Sequence, residues 1–219
     1  MIEDSVLCRV YNFRTPTGDG GTMFAVNMND TDYLITAKHI FESLNNPKKL
    51  NISVRQNNNF KKMDVEIRYH NHADIAVMQR VNGIFKNSPI NLSLDGMTMG
   101  QDTFFLGFPF NLYTPETETE NQNFPVPFVK KAVFSSINRI DNVRVIYLDG
   151  HNNSGFSGGP VAFKKPNGKE YQICGVISGY LSQNGEVKYG DKIVGNYAEN
   201  TGIIITHSIE HAIELMDKF

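Results

Sequence analysis

Apolar residues in this chain come in short alternating runs, separated throughout by Gly, Asn, Asp and Pro clusters, and this rhythm constrains the fold more than any other feature. Runs at 7–12, 23–27, 33–36, 52–56, 65–69 and 75–79 predict about six strands in the first third, enough for one small barrel. The pattern loosens over residues 82–100 into Asn, Ser, Pro and Gly, as expected of a connection. Further strand-like runs follow at 103–109, 131–137, 143–148, 161–163, 173–179 and 202–206, with a Gly-rich excursion over 181–201. Helical spacing is read only at the end, where Ile209, Ala212, Ile213 and Met216 share an apolar face behind Ser208 as a candidate N-cap. The fold expected from this pattern is an all-β barrel or sandwich.

At 219 residues and 40% hydrophobic, the chain can bury a substantial core and has no room for large extra modules. Its formal net charge is -2 and its positive charges are scattered, which argues against nucleic acid or an anionic membrane as partner and leaves protein or peptide. Met1-Ile2-Glu3-Asp4-Ser5 lacks the basic start and apolar core of a signal peptide, so a cytoplasmic location is expected. Cys8 and Cys174 both lie in strand-like runs and read as buried thiols in a reducing compartment.

Residues 149–160 read Asp-Gly-His-Asn-Asn-Ser-Gly-Phe-Ser-Gly-Gly-Pro and follow the strand-like Val143-Arg144-Val145-Ile146-Tyr147-Leu148. A serine hydroxyl becomes a nucleophile only beside a base and fixed oxyanion donors, and this glycine pattern suits both needs. Gly155 can turn its N–H to the same side as that of Ser157, making a two-donor oxyanion hole. Gly158 and Gly159 allow close approach, and Pro160 fixes the exit into the next strand. A Ser-Gly-Gly turn between strands is the plain alternative. In its context the stretch resembles the nucleophile loop of trypsin-like serine proteases, and most closely that of the high-temperature-requirement (Deg-type) subgroup, which carries an Asp where Asp149 stands. Phe156 departs from the digestive members, which have there the Asp that pairs with a newly cut N-terminus. Activation by that route is therefore not expected.

Two further contexts carry the resemblance. Gly20-Gly21-Thr22-Met23-Phe24-Ala25-Val26 and Tyr33-Leu34-Ile35-Thr36-Ala37-Lys38-His39 read as a hairpin around Asn29-Asp30, running into a helical turn at Ile40-Phe41-Glu42. They are similar to the family's glycine-rich hairpin and Thr-Ala-x-His sequence, which makes His39 the general base. Asp74-Ile75-Ala76-Val77 matches the segment whose Asp orients that histidine. The order His39, Asp74, Ser157 is the family's order. A rival pattern overlaps it, because His70-x-His72-x-Asp74 resembles the start of a metallohydrolase motif. That motif requires a histidine where Ile75 stands and an αβ alternation that is absent here.

The resemblance implies an all-β chain of two six-stranded antiparallel Greek-key barrels, chymotrypsin-like, with a short C-terminal helix. An N-terminal barrel of residues 1–95 would carry His39 and Asp74, and a C-terminal barrel of residues 96–219 would carry Ser157. The expected activity is serine endopeptidase action on an extended peptide or protein substrate, with no cofactor and no metal. Ile173-Cys174-Gly175-Val176-Ile177-Ser178-Gly179 matches the strand that pairs with substrate, placing Val176, Ile177, Ser178 and Gly179 in the binding site, with Ser178 also beside Asp74. Gly202 would wall the specificity pocket and His151 would lie near its base. The acidic, apolar-poor residues 111–127 read as a long loop bordering the site, ordered by substrate or an activating partner, or as a passive insertion. Two other classes remain open, a catalytically silent peptide-binding module on the same fold and a metal-dependent hydrolase using His70, His72 and Asp74.

Overall fold

The computed structural model describes residues 2–57, 59–80, 89–114 and 124–219. Strands β1 Val10–Arg14, β2 Gly20–Met28, β3 Thr31–Thr36, β4 Lys49–Gln56, β5 Asn59–Tyr69 and β6 Ala76–Arg80 close into an antiparallel barrel in the order β1-β2-β3-β6-β5-β4. Strands β8 Asp102–Gly107, β9 Phe128–Ile140, β10 Val143–Asp149, β11 Pro160–Lys164, β12 Tyr171–Tyr189 and β13 Lys192–Ser208 form a second sheet in the order β11-β8-β9-β10-β13-β12, and a β11–β12 pairing joins its ends. Counted within each set, both run first, second, third, sixth, fifth, fourth. Among the described residues the one parallel pairing is β7 Asn91–Leu92 against β12.

The apolar runs form strands with two buried faces. Met23, Ala25, Leu34, Ala76 and Met78 point into the first barrel. Their alternates Phe24, Val26, Tyr33, Ile35 and Val77 point outward, and a sheet alternates its side chains between faces. There they meet Leu106, Ala162, Val143, Val145, Ile173 and Val176 of the second sheet, whose own interior holds Phe105, Ile146, Leu148, Val161, Phe163, Cys174 and Ile177. Helix α2 (Glu210–Met216) adds Ala212, Leu215 and Met216 to the layer between the sheets. That shared layer sets the two sheets against each other.

Turn chemistry fixes the register. Asn29 and Asp30 take φ of 52° and 59°, and Asp141 and Asn142 take 49° and 65°, the left-handed pairs that a two-residue hairpin needs. A 3-10 turn, Lys38–Leu44, follows β3 as the sequence suggests. Three expectations need correction. The residues before β1 include a short helix, α1 (Asp4–Leu7), so Cys8 ends a helix instead of lying in a strand and is only half-buried. The helix α2 is preceded by Ile209 as N-cap, while the Ser208 hydroxyl, wholly buried, accepts from the Glu210 N–H at 3.4 Å. The supposed excursion over 181–201 is a two-stranded ribbon in which β12 and β13 run on past the barrel, paired from Ser182↔Asn200 to Tyr189↔Lys192. Alternation is weak there because the ribbon has no core to face. Of the expected connection at 82–100, residues 82–88 lie outside the described residues, as do 115–123 of the expected acidic loop.

The ribbon contributes almost nothing to the core, since Tyr189, Val194 and Ile193 are more than half exposed. Replacing residues 183–198 by a two-residue turn is expected to shift unfolding stability by no more than about 0.5 kcal/mol, as for other surface changes that leave the core intact. Urea unfolding of the shortened chain checks this.

Candidate active site

The loop between β10 and β11 is shaped by contacts that only glycine permits. Gly155 has φ +103°, and a Cβ there would lie 2.2 Å from the Phe108 carbonyl oxygen. The Ser154 carbonyl accepts from the Phe110 N–H at 2.9 Å. Across a trans peptide this sends the Gly155 N–H the opposite way. The Gly155 carbonyl is held in turn by the Thr22 hydroxyl at 2.7 Å. Both peptide planes flanking Gly155 are thereby fixed. The N–H groups of Gly155 and Ser157 donate to no acceptor among the described residues, whereas Phe156, Gly158 and Gly159 all donate within the fold. Two backbone donors, the serine's own N–H and that of the residue two positions before it, are left unused among the described residues.

Phe156 explains how this loop stays in place without the Asp found in digestive proteases. Its side chain is wholly buried and meets Phe105 edge-on, with ring centroids 4.9 Å apart. Lys130 lies over both rings and donates to the carbonyl of His151 and to Asn153 Oδ1, so the loop is clamped by packing and one ammonium.

His39 stands on the 3-10 turn after β3, and Asp74 on the turn before β6. Asp74 Oδ2 lies 2.7 Å from His39 Nδ1, and Oδ1 accepts the His39 backbone N–H at 2.8 Å. The Ser178 hydroxyl donates to Asp74 Oδ2 at 2.5 Å. Burial works against the charged form of His39, but the hydrogen bond and charge of Asp74, with Glu42 further off, outweigh it and hold the imidazole pKa above 6.5. Asp74 is pulled up by burial and further down by its bonds to His39 and Ser178, so it stays ionised. The Ser157 hydroxyl donates to the Ser178 carbonyl at 3.3 Å, and no hydrogen bond joins it to His39. Ser178 is thus the residue at which Asp74 and Ser157 meet.

The remaining sequence-derived binding residues divide into two groups. Val176 and Ile177 are wholly buried, Val176 between the sheets and Ile177 inside the second, and the Ile177 N–H and carbonyl are bonded to Gly159 and Gly158. Neither side chain reaches a cleft. Ser178 and Gly179 lie just beyond, partly exposed. Gly202 has φ +80° and its carbonyl accepts from the Gly150 N–H at 2.8 Å, which sets it beside the exposed His151. Asn152, buried next to His151, donates to the Gly179 carbonyl at 3.1 Å and its own carbonyl accepts from Asn200 at 2.7 Å, joining the Ser157 loop to both strands of the ribbon base.

The metal alternative fares differently. Asp74 is turned to His39 and Ser178, while His70 Nδ1 accepts the backbone N–H groups of Ala73 at 2.7 Å and His72 at 3.2 Å. Among the described residues, the one set of three side chains able to converge on an ion is His70, His211 and Glu214. His211 Nε2 likewise accepts a backbone N–H, from Arg144 at 2.9 Å. A neutral imidazole has one proton, so on both rings the nitrogen facing Glu214 carries it, and a metal would need the lone pair there.

No protein-family model and no curated protein sequence matches the chain. Solved structures do. It is similar to Rv3671c from M. tuberculosis H37Rv, a serine-to-alanine mutant in an inactive form, with TM-score 0.60 and 15% identity over 98% of this chain and 87% of that one. It is also similar to the HtrA-type protease AlgW with tripeptide, with TM-score 0.63 and 18% identity over 98% of this chain and 60% of that one. The chain has the fold of an HtrA-type protease domain. It spans three-fifths of AlgW's length.

Within this HtrA-type fold, sequence reasoning missed Thr22, Phe110 and Lys130. Thr22 left a usable signal, a hydroxyl in an otherwise apolar strand, since a buried hydroxyl must find a partner. Phe110 acts through its backbone, at φ 53°, and no residue type announces that. Titration of the His39 ring by NMR is expected to give a pKa above 6.5 in the parent chain. Replacing Asp74 by Asn removes the charge, so the midpoint should fall toward or below 6.5. An unchanged midpoint would show that Asp74 does not act on the ring.

Proposed function

We propose that the chain is a serine endopeptidase in which Ser157 attacks the scissile carbonyl, His39 takes and returns the proton, and Asp74 fixes the His39 tautomer with Nε2 free to accept. The observation that carries this reading is the coincidence of a His39 ring held at Nδ1 by Asp74 with two idle N–H donors, at Gly155 and Ser157, on the loop bearing the serine. Those donors would receive the oxyanion, a contribution worth about 10²–10³ in turnover for one donor in comparable enzymes. A substrate strand would pair with the chain at Ser178 and Gly179, because the backbone of Ile177 is already occupied. A peptide ligand is in keeping with AlgW, whose structure holds a tripeptide.

A second reading rests on one contact. The Ser157 hydroxyl bonds to the Ser178 carbonyl, which suits a peptide-binding module that performs no chemistry. The endopeptidase reading requires rotation about the Ser157 Cα–Cβ bond toward His39, and in unliganded sites such catalytic hydrogen bonds are often long. A fluorophosphonate probe separates the two. Covalent labelling at Ser157, lost in Ser157→Ala and insensitive to chelators, is the expected result. A chain that binds peptides but takes up no label is the silent module.

For the enzyme, kcat/KM should rise with pH through one ionisation above 6.5, because the base must be neutral and its pKa is raised. An inflection below 6.5 would remove His39 from the role. Phe156 also makes a free N-terminus unnecessary, so residues fused ahead of Met1 should leave kcat/KM unchanged. Dependence on removing them would overturn that point.

A further inference from the structure

His70 ends the β5 side of the turn that presents Asp74, and its ring lies inside that turn. Nδ1 accepts the Ala73 N–H at 2.7 Å and the His72 N–H at 3.2 Å, two donors that no neighbouring carbonyl takes. The His70 backbone closes the same turn, with its N–H on the Ile75 carbonyl at 3.0 Å and its carbonyl on the Lys38 ammonium at 3.1 Å, one residue before His39. On the far edge of the ring, Nε2 lies 3.1 Å from Glu214 Oε2. The His211 ring packs at 4.9 Å between centroids. Glu214 sits on α2, whose neighbours Ala212, Leu215 and Met216 are buried between the sheets. A continuous set of contacts therefore runs from the packed helix through one imidazole to the peptide N–H preceding Asp74.

We propose that His70 is a positioning residue for the Asp74–His39 pair, its ring serving as the fixed acceptor that shapes the turn while Glu214 holds the ring from the helix side. One neutral tautomer meets both demands, with the lone pair on Nδ1 for the turn and the proton on Nε2 for the carboxylate. Burial, the Glu214 carboxylate, the His211 ring and the Lys218 ammonium act on this ring together, and the net shift favours the neutral form. Without the acceptor, the Ala73 and His72 N–H groups must seek new partners in a part of the fold where Ala73 is buried, and the turn would reshape. Asp74 moves with it. A displacement of about 1 Å in a catalytic constellation costs on the order of 10²-fold in rate.

The catalytic consequence rests on the endopeptidase reading, while the effect on His39 does not, so the two are measured separately. In His70→Asn the side-chain oxygen sits where Nδ1 does, whereas His70→Gln extends past it. NMR of the full chain, with Ser157→Ala present so that turnover plays no part, reads the His39 pKa and the downfield proton shared by His39 Nδ1 and Asp74. The expected result is loss of that proton and a lower His39 pKa in His70→Gln, with both restored in His70→Asn. On the otherwise unaltered chain kcat should follow the same order, falling about tenfold or more in His70→Gln with little change in KM. Equal behaviour of the two variants, or a His39 signal unchanged in His70→Gln, overturns the proposal. If His70→Gln does not fold, Glu214→Ala decides by the same signal, since it releases the ring that shapes the turn while leaving every residue of the turn in place, and an unchanged His39 then counts against the proposal. A parent chain without turnover whose His39 still responds to His70→Gln refutes the endopeptidase reading and leaves the positioning role standing.

Discussion

The hydroxyl of Thr22 joins the two halves of the molecule at the point where the chemistry would occur. It donates to the Gly155 carbonyl at 2.7 Å and accepts from the Phe108 N–H at 3.1 Å, while the Thr22 backbone N–H reaches the Ser157 carbonyl at 3.0 Å. Its own carbonyl takes the Thr36 hydroxyl at 2.7 Å, on the strand that leads to His39. A residue of the first barrel thus sets the backbone of the Ser157 loop in the second, and its neighbour Thr36 leads into the turn bearing the candidate base. The bonds of Thr22 to Phe108 and Thr36 are buried and that to Gly155 partly so, and an unmade buried hydrogen bond costs about 1–3 kcal/mol, so the two halves have little freedom to slide past one another here.

This constraint also explains why the loop tolerates Phe156. A nucleophile loop must keep two N–H groups unpaired in the resting protein, which is unfavourable for any local fold, and something else must oppose their tendency to turn inward. Thr22 and the Phe110 N–H fix the peptides on either side of Gly155. Phe156 and Lys130 hold the loop from below, by ring packing and by an ammonium whose pKa is lowered by its partial burial. None of these supports requires a cleaved terminus.

Most of the barrel architecture was legible because strands with two buried faces give continuous apolar runs, and Met23 to Val26 or Ile146 to Leu148 have no other explanation in a chain with so many turn residues. The pairing of His39 with Asp74 was legible through their local contexts. What escaped was of three kinds. The β12–β13 ribbon lacks a buried face, so its alternation carries no hydrophobic signal, and it read as loop. Val176 and Ile177 read as binding residues because their strand leads to Ser178 and Gly179, whereas strand alternation sends both side chains into cores before those residues are reached. The supports of the nucleophile loop act through backbone groups and through distant pairs such as Thr22 and Gly155, 133 residues apart, which no local pattern can reveal.

His70 shows the same limit from the other side. Read along the chain, His70, His72 and Asp74 share the spacing of a metal motif, yet folding turns them to three different tasks. The His70 lone pair goes to a backbone turn, the Asp74 carboxylate goes to His39 and Ser178, and His72 is left exposed. The deciding quantity is which ring nitrogen carries the proton, and that is set by the Ala73 N–H at 2.7 Å, a contact created by the turn itself. A motif of ligating residue types becomes a metal site only when lone pairs converge. Here they diverge, and His70 instead links Glu214 of the closing helix to the turn that carries Asp74.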